Sequence, residues 1–204
     1  MRTIVISFLF LGILILAIIG SLYIFDVQDA EQALELLMKA EGVLLLLSDS
    51  THVELSGYTP AEKVVGETVD HITANAKGRV IVTTFASLIS RVQQVIDVAE
   101  KHNRRGFIVG RSMNANVKMS LQLGYLRASS GIIGRIDELK NMPPHKIMLI
   151  TTGSQGEPTS ALVRIANKDH NQLHIIKGDT VILCSSPIPG NESLVSRTID
   201  SLFK

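Results

Sequence analysis

Apolar and polar positions along the 204-residue chain follow two different patterns. The first is a run without a charge, "IVISFLFLGILILAIIGSLYIF", from Ile4 to Phe25. As a helix it would reach about 33 Å, against a bilayer hydrocarbon core of ~30 Å. Bulky residues around Ala17 to Ser21 leave no good small-x-small cleavage site, which favours a membrane anchor over a signal peptide or a buried helix. Arg2 precedes the run, while Asp26, Asp29 and Glu31 follow it, a bias that would keep the N-terminus in the cytoplasm and export the remainder. Next, "DAEQALELLMKAEG" places Ala30, Ala33, Leu34, Leu37 and Met38 at helical spacing, with Gly42 as a stop. "VLLLL" then reads as a short strand buried on both faces and runs into "SDST".

The second pattern is a rhythm. "GYTPAEKVVGETVDHI" predicts a turn and a helix, with Thr59 as N-cap, Pro60 at the first helical position and Glu62 completing a capping box. From Arg79, short β-branched strands alternate with longer segments of helical period. "RVIVTT" precedes the helix "FASLISRVQQVIDVAEKH", whose apolar side carries Leu88, Ile89, Val92, Val95, Ile96 and Ala99. "GFIVG" precedes "RSMNANVKMSLQLGYL", "KIMLITT" precedes "GSQGEPTSALVRIA", and "DTVILCSS" precedes "PIPGNESLVSRTIDSLF". Such βα units predict an α/β fold with a mainly parallel sheet flanked by helices. The expected organisation is a hydrophobic N-terminal segment over 1–25, a connecting helix over 26–41 and an α/β domain over 42–204.

Composition narrows the partners. A net charge of +1 argues against a strongly basic nucleic-acid arm but leaves room for a local basic groove. The chain has one cysteine, Cys184, so neither an internal disulfide nor a zinc–thiolate site can form, which suits a reducing compartment. With no tryptophan and few aromatics, a bound nucleic acid would be held mainly by its backbone.

Ligands of parallel sheets gather beyond the carboxyl ends of the strands. "SDST", "TTFAS", "GRSM", "TTGSQGEP" and "SSPIPGNE" all fall at that edge. In "TTGSQGEP", Gly153 and Gly156 allow close backbone approach, and Thr151, Thr152, Ser154 and Gln155 offer donors to phosphate oxygens. Glu157 and Pro158 suit a first helical turn. The stretch is either a tight turn or a phosphate cradle, and it lacks both the Walker lysine and the dinucleotide fingerprint. Arg91 and Arg111 are each a phosphate contact or a solvated surface arginine. Asp49 is either a turn or cap aspartate or an acid able to orient a histidine, bind a metal or shuttle a proton. His170 and His174 lie four apart in "HNQLH" with no carboxylate base between them, and "QLHIIKGD" reads as the start of a strand rather than as a zinc site.

Taken in order and with their gaps, "LLLLSDST", "GYTPAEKVVGET", "RVIVTTFASLISRVQQVIDVAEKH", "VGRSM", "MPPHKIMLITTGSQGEPTSALVRIAN" and "GDTVILCSSPIPGNESLVSRTI" resemble ribonuclease J. That family is a β-CASP member of the metallo-β-lactamase superfamily, and the resemblance spans Gly42 to Phe203. It implies a cytoplasmic nuclease that cleaves RNA with two zinc ions and trims from the 5′ end. The β-CASP part would be an insertion clamped over the metal domain, with RNA passing between the two. On that resemblance Asp49 supports a catalytic histidine. Ser50, Thr84, Phe85, Arg91, Arg111, Ser112, Gly153, Ser154, Gln155, Gly156 and Glu157 would face RNA.

The departures bear on activity. The zinc signature H-x-H-x-D-H is absent from this sequence, as are the histidine-rich motifs that flank the matched region, so the domain reads as truncated at its C-terminal end. His52, Leu88 and Ser90 stand where the family pattern carries asparagine, asparagine and histidine. Two-metal hydrolysis needs a full ligand set, which one acid cannot supply. No metal site is therefore expected in this chain, and the expected role is RNA gripping without cleavage. The alternatives are a membrane-tethered RNA- or protein-binding module, or an enzyme completed by a metallo-β-lactamase domain in trans. An uncovered docking face would also favour homo-oligomers.

Overall fold

The computed structural model describes residues 56–57 and 61–204. The apolar run 4–25, the helix and strand expected before residue 48, the Thr59–Pro60 cap, and the candidate residues Asp49 and Ser50 lie outside them. One compact unit runs from Glu62 to Lys204. Among the described residues no helix is long and apolar enough to cross a membrane.

In chain order the unit holds α1 (Glu62–Asn75), β1 (Val80–Thr83), α2 (Ile89–Lys101), β2 (Arg105–Val109) and α3 (Arg111–Gln122). There follow β3 (Ile133–Gly134), two 3-10 turns (Ile136–Asn141, Pro144–Lys146), β4 (Ile147–Thr151), α4 (Ala161–Ala166), β5 (Thr180–Leu183) and α5 (Glu192–Leu202). The strands form one five-stranded sheet in the order β3-β2-β4-β1-β5, with every pairing parallel. The expected α/β class and parallel sheet are thus what the chain adopts.

Strand alternation divides the core in two. Val80, Val82, Ile108, Met148 and Ile150 point to a first face, where they pack on Val69 of α1, Val92, Val95, Ile96 and Ala99 of α2, and Met113 and Val117 of α3. Ile81, Phe107, Val109, Ile147 and Leu149 point to a second face, against Leu162 and Ile165 of α4, Leu173 and the partly buried Leu139. A fully buried aliphatic side chain of this kind contributes about 1.5–3 kcal/mol. The helix after "TTFAS" begins at Ile89 rather than Phe85, because Phe85 to Leu88 turn off the sheet edge through a Leu88 N–H to Phe85 carbonyl bond of 3.1 Å. The helix expected over "RSMNANVKMSLQLGYL" stops at Gln122, where the amides of both Tyr125 and Leu126 return to the Ser120 carbonyl.

Two elements differ in kind from expectation. "QLHIIKGD" is not a strand. Arg79 holds this segment from the side through the His174 carbonyl (2.8 Å) and the Asp179 carboxylate, which supplies anchoring without a ladder of backbone bonds. Conversely, "IG" at 133–134 is a strand that its length and composition hide. It exists because Gly106 and Phe107 offer an open sheet edge.

Candidate functional site

From β1 the chain crosses to β2 through α2, and from β2 to β3 through α3, on the first face. From β3 to β4 and from β4 to β5 it travels in the opposite direction, through the 3-10 turns and α4 on the second face. Right-handed crossovers require that change of face when the direction reverses. Neighbouring β2 and β4 therefore send their exits apart, and a crevice opens beyond their carboxyl ends. There the structure holds a groove of ≈ 1440 Å³.

Four strand exits meet in it. Thr84 and Phe85 follow β1, Arg111 and Ser112 follow β2, Arg135 and Asp137 follow β3, and Gly153 and Ser154 follow β4. Glu157 also lines it. Seven of the residues expected to face RNA, Thr84, Phe85, Arg111, Ser112, Gly153, Ser154 and Glu157, are thus brought together. Arg111 opens α3 with an exposed side chain. Thr84 and Ser160 are among the residues that line the groove; their hydroxyl oxygens are buried beneath its surface and find no hydrogen-bond partner among the described residues. Buried hydroxyls in that condition are costly unless something else satisfies them.

The glycine-bearing loop does two jobs. Gly153 has φ +116°, and a Cβ there would lie 2.5 Å from Ser160 Oγ and 2.9 Å from Leu162 Cβ, so only glycine lets the chain leave β4 this closely. The Leu162 N–H returns to the Thr152 carbonyl at 3.1 Å, which fixes the start of α4. Gly156, with φ +71°, presses on the backbone of α5, where a Cβ would sit 2.5 Å from the Leu194 carbonyl. Gln155 between them is buried. Its Nε2 donates to Ser185 Oγ and the Ser186 carbonyl, both at 3.0 Å, and its Oε1 accepts from the Ile188 N–H at 2.8 Å. Gln155 and Gly156 therefore bolt the loop to the segment after β5 and do not line the groove, in contrast to the expectation that they face an anion. A saturated amide has no donor to spare.

Arg91 departs from expectation in the same way. It is buried on the first face, ion-paired with both oxygens of Glu62, and it donates to the Cys184 carbonyl. The Glu62 carboxylate holds its pKa above the ordinary arginine value, and burial pushes the Cys184 thiol up. Neither group reaches the groove. Ser90 is exposed on the first turn of α2, also away from it.

The charges in the groove are unevenly spent. Arg135 pairs with Asp137 at 3.0 Å, and that carboxyl is held below its ordinary value by its own backbone N–H and by Arg135. Arg111, Arg164 and Glu157 are the remaining full charges among the lining residues, which leaves the groove modestly positive. Sequence reasoning missed Ser160, Arg135, Arg164, His170 and Gln172. Ser160 carried a signal, a serine directly before the apolar "ALV". Arg135 carried none, because it follows a strand of two residues.

The profile of the β-CASP domain of ribonuclease J matches residues 77–202, which include the groove and every strand of the sheet. The chain belongs to the ribonuclease J family, in its β-CASP domain. It is 48% identical over 164 residues to ribonuclease J of Thermus thermophilus, covering 80% of this chain and 28% of the relative. It is 43% identical over 163 residues to ribonuclease J2 of Bacillus subtilis (80% and 29%) and 42% over 179 residues to ribonuclease J of Synechocystis (88% and 27%). The chain spans less than a third of the length of these relatives. Within the β-CASP domain, the matched region places the four strand exits on one rim.

Proposed function

We propose that this chain grips single-stranded RNA by its phosphate backbone in the groove at the carboxyl ends of β1, β2, β3 and β4, as the β-CASP portion of an RNA-processing nuclease. The observation that carries the reading is the convergence of the exposed Arg111 and Ser112 with Thr84, Ser154 and Ser160 as lining residues of one open, modestly positive groove. Hydroxyl and guanidinium donors with few aromatic faces suit phosphate and sugar oxygens better than stacked bases.

The family resemblance implies zinc, and the described residues do not fit a two-zinc centre. Among the described residues no group of three or more His, Cys, Asp or Glu could hold a metal. No hydrolytic step is therefore assigned to the groove, and Asp49 keeps only the proposed role of supporting a histidine supplied by another chain or domain.

The test is fluorescence anisotropy of a labelled single-stranded RNA with the full chain at low salt. Arg111→Ala is expected to weaken binding about 5-fold and to flatten the salt dependence by about 0.7, one phosphate's worth on a single strand. Equal affinity of the variant and the unsubstituted chain would remove the groove from the interaction.

The uncharged run Ile4–Phe25 favours a second reading, in which the same grip is tethered to a bilayer. Retention of the chain in a carbonate-washed membrane fraction, lost on replacing residues in that run with charged ones, is the outcome that reading requires.

A further inference from the structure

The wall of the groove on the second face has a geometry of its own. α4 ends at Ala166, and the chain turns through Lys168 at φ +64°. The Asp169 N–H donates to the Arg164 carbonyl at 2.8 Å, while one amine of the Arg164 guanidinium donates to the Asp169 carbonyl at 3.0 Å. That pair of bonds folds the arginine over the end of its helix and leaves its other donors exposed. Leu173, buried in the second core, pins the next turn.

Between these anchors sits His170. Its Nδ1 accepts the backbone N–H groups of Gln172 (3.3 Å) and Leu173 (3.2 Å), so the ring proton resides on Nε2, at the opposite edge of the ring. Capping a turn explains Nδ1. It does not explain Nε2–H, which has no partner among the described residues on a side chain that lines the groove beside Arg164. An imidazole locked in one tautomer and set next to a guanidinium is a neutral donor beside a cation. That combination matches a polynucleotide, in which a charged phosphate oxygen and an uncharged ribose or base acceptor alternate along the strand.

We propose that Arg164 and His170 form a second contact strip for RNA on this wall, the guanidinium taking a phosphate and the Nε2–H an acceptor on the adjoining ribose or base. This rests on the reading of the groove as an RNA site and extends it from the Arg111 wall on the first face across the sheet edge to the second. A strand in the groove is then held from both sides.

The experiment measures anisotropy of a labelled single-stranded RNA with the full chain over a salt series, in four variants. Arg164→Ala is expected to weaken binding about 5-fold and to flatten the salt slope by about 0.7. His170→Ala is expected to weaken it by a similar factor with the slope unchanged, because no charge is lost. His170→Asn, whose Oδ1 can accept the two amides but whose Nδ2 stands where the ring carbon does and falls short of Nε2, is expected to keep the turn and still bind about as weakly as His170→Ala; full recovery would mean that His170 acts only through the turn and would overturn its part in the strip. Arg111→Ala reports on the other wall. The proposal is overturned if Arg164→Ala and His170→Ala bind as tightly as the unsubstituted chain while Arg111→Ala is impaired, a result that leaves the groove reading standing. Failure of the unsubstituted chain to bind RNA at low salt would overturn both.

Discussion

Single residues set the shape of the groove through what they lack. Gly153 is tolerated where β4 turns into α4 because a side chain would collide with Ser160 and Leu162. Gly124 also has positive φ, +78°, yet a Cβ there would meet nothing within 4 Å. The pair separates backbone strain from collision. Gly124→Ala is expected to cost about 1 kcal/mol and Gly153→Ala about 3 kcal/mol, read from urea denaturation midpoints. Equal costs would mean that the loop relaxes freely around Ser160. His170 gives a second residue-scale expectation. Burial, with Arg164 nearby, lowers its pKa below the ordinary 6.5. A histidine depressed in the folded state contributes stability that is present above its unfolded value and is lost as pH falls through its folded value. The His170 ring resonances are expected to titrate below pH 6.5 in an NMR series, and His170→Ala should reduce the acid sensitivity of the melting temperature. A midpoint above 6.5 would contradict the effect ascribed to burial and Arg164.

At the level of elements, α1 is fastened to α2 at both ends. Glu62 at the start of α1 takes Arg91, and Asp70, about two turns further along the helix, takes Lys101 and His102, both at 2.7 Å. Lys101 and His102 hold the Asp70 carboxyl below its ordinary value. The two fasteners differ in weight. Asp70 is half-exposed, and its partner Lys101 is exposed, so this pair contributes little. Arg91 is buried, so removing its partner strands a charge in the core. Glu62→Gln is expected to destabilise the fold by about 2–3 kcal/mol, whereas Arg91→Met, which removes the charge and keeps the volume, should cost less. Thermal denaturation of the two variants checks the order, and the reverse order would deny the pair its structural role. At the far end of the sheet Arg104 is buried and donates to the carbonyls of Ala76 (2.6 Å), Gly78 (2.8 Å) and Ile147 (3.3 Å), joining the exit of α1 to the entry of β4. Burial lowers its pKa.

For the whole molecule, the strand order decides where a ligand can sit. Reversal of the crossover direction at β3 places α2 and α3 on one face and α4 on the other, and the groove is the gap this leaves. The net charge of +1 is spread over the chain, so affinity depends on the few charges that the groove concentrates. If Arg111 and Arg164 are the phosphate contacts, the logarithm of the RNA binding constant should fall with the logarithm of salt at a slope of about −1.4. A slope several times steeper would place the binding on a basic surface elsewhere.

The order of short β-branched strands and helices was legible from residue 79 onward, β3 excepted, because a parallel strand buried on both faces leaves a local mark when it is four or five residues long. The glycines of "TTGSQGEP" and the common edge of the polar loops were legible for the same reason, since turn chemistry is local. What the sequence could not assign was which polar groups remain available. Arg91 and Arg111 look alike along the chain. One meets Glu62, 29 residues away, inside the core, and the other meets solvent at the head of α3. Gln155 is spent on residues 30 or more positions away. Arg164 and His170 reach the groove only because α4 lies on the second face. Local patterning thus determined the elements and the edge where the site lies. The tertiary structure alone decided which candidate residues line the groove and which are spent elsewhere, because hydrogen-bond and ion-pair partners are brought together by the strand order and not by their spacing along the chain.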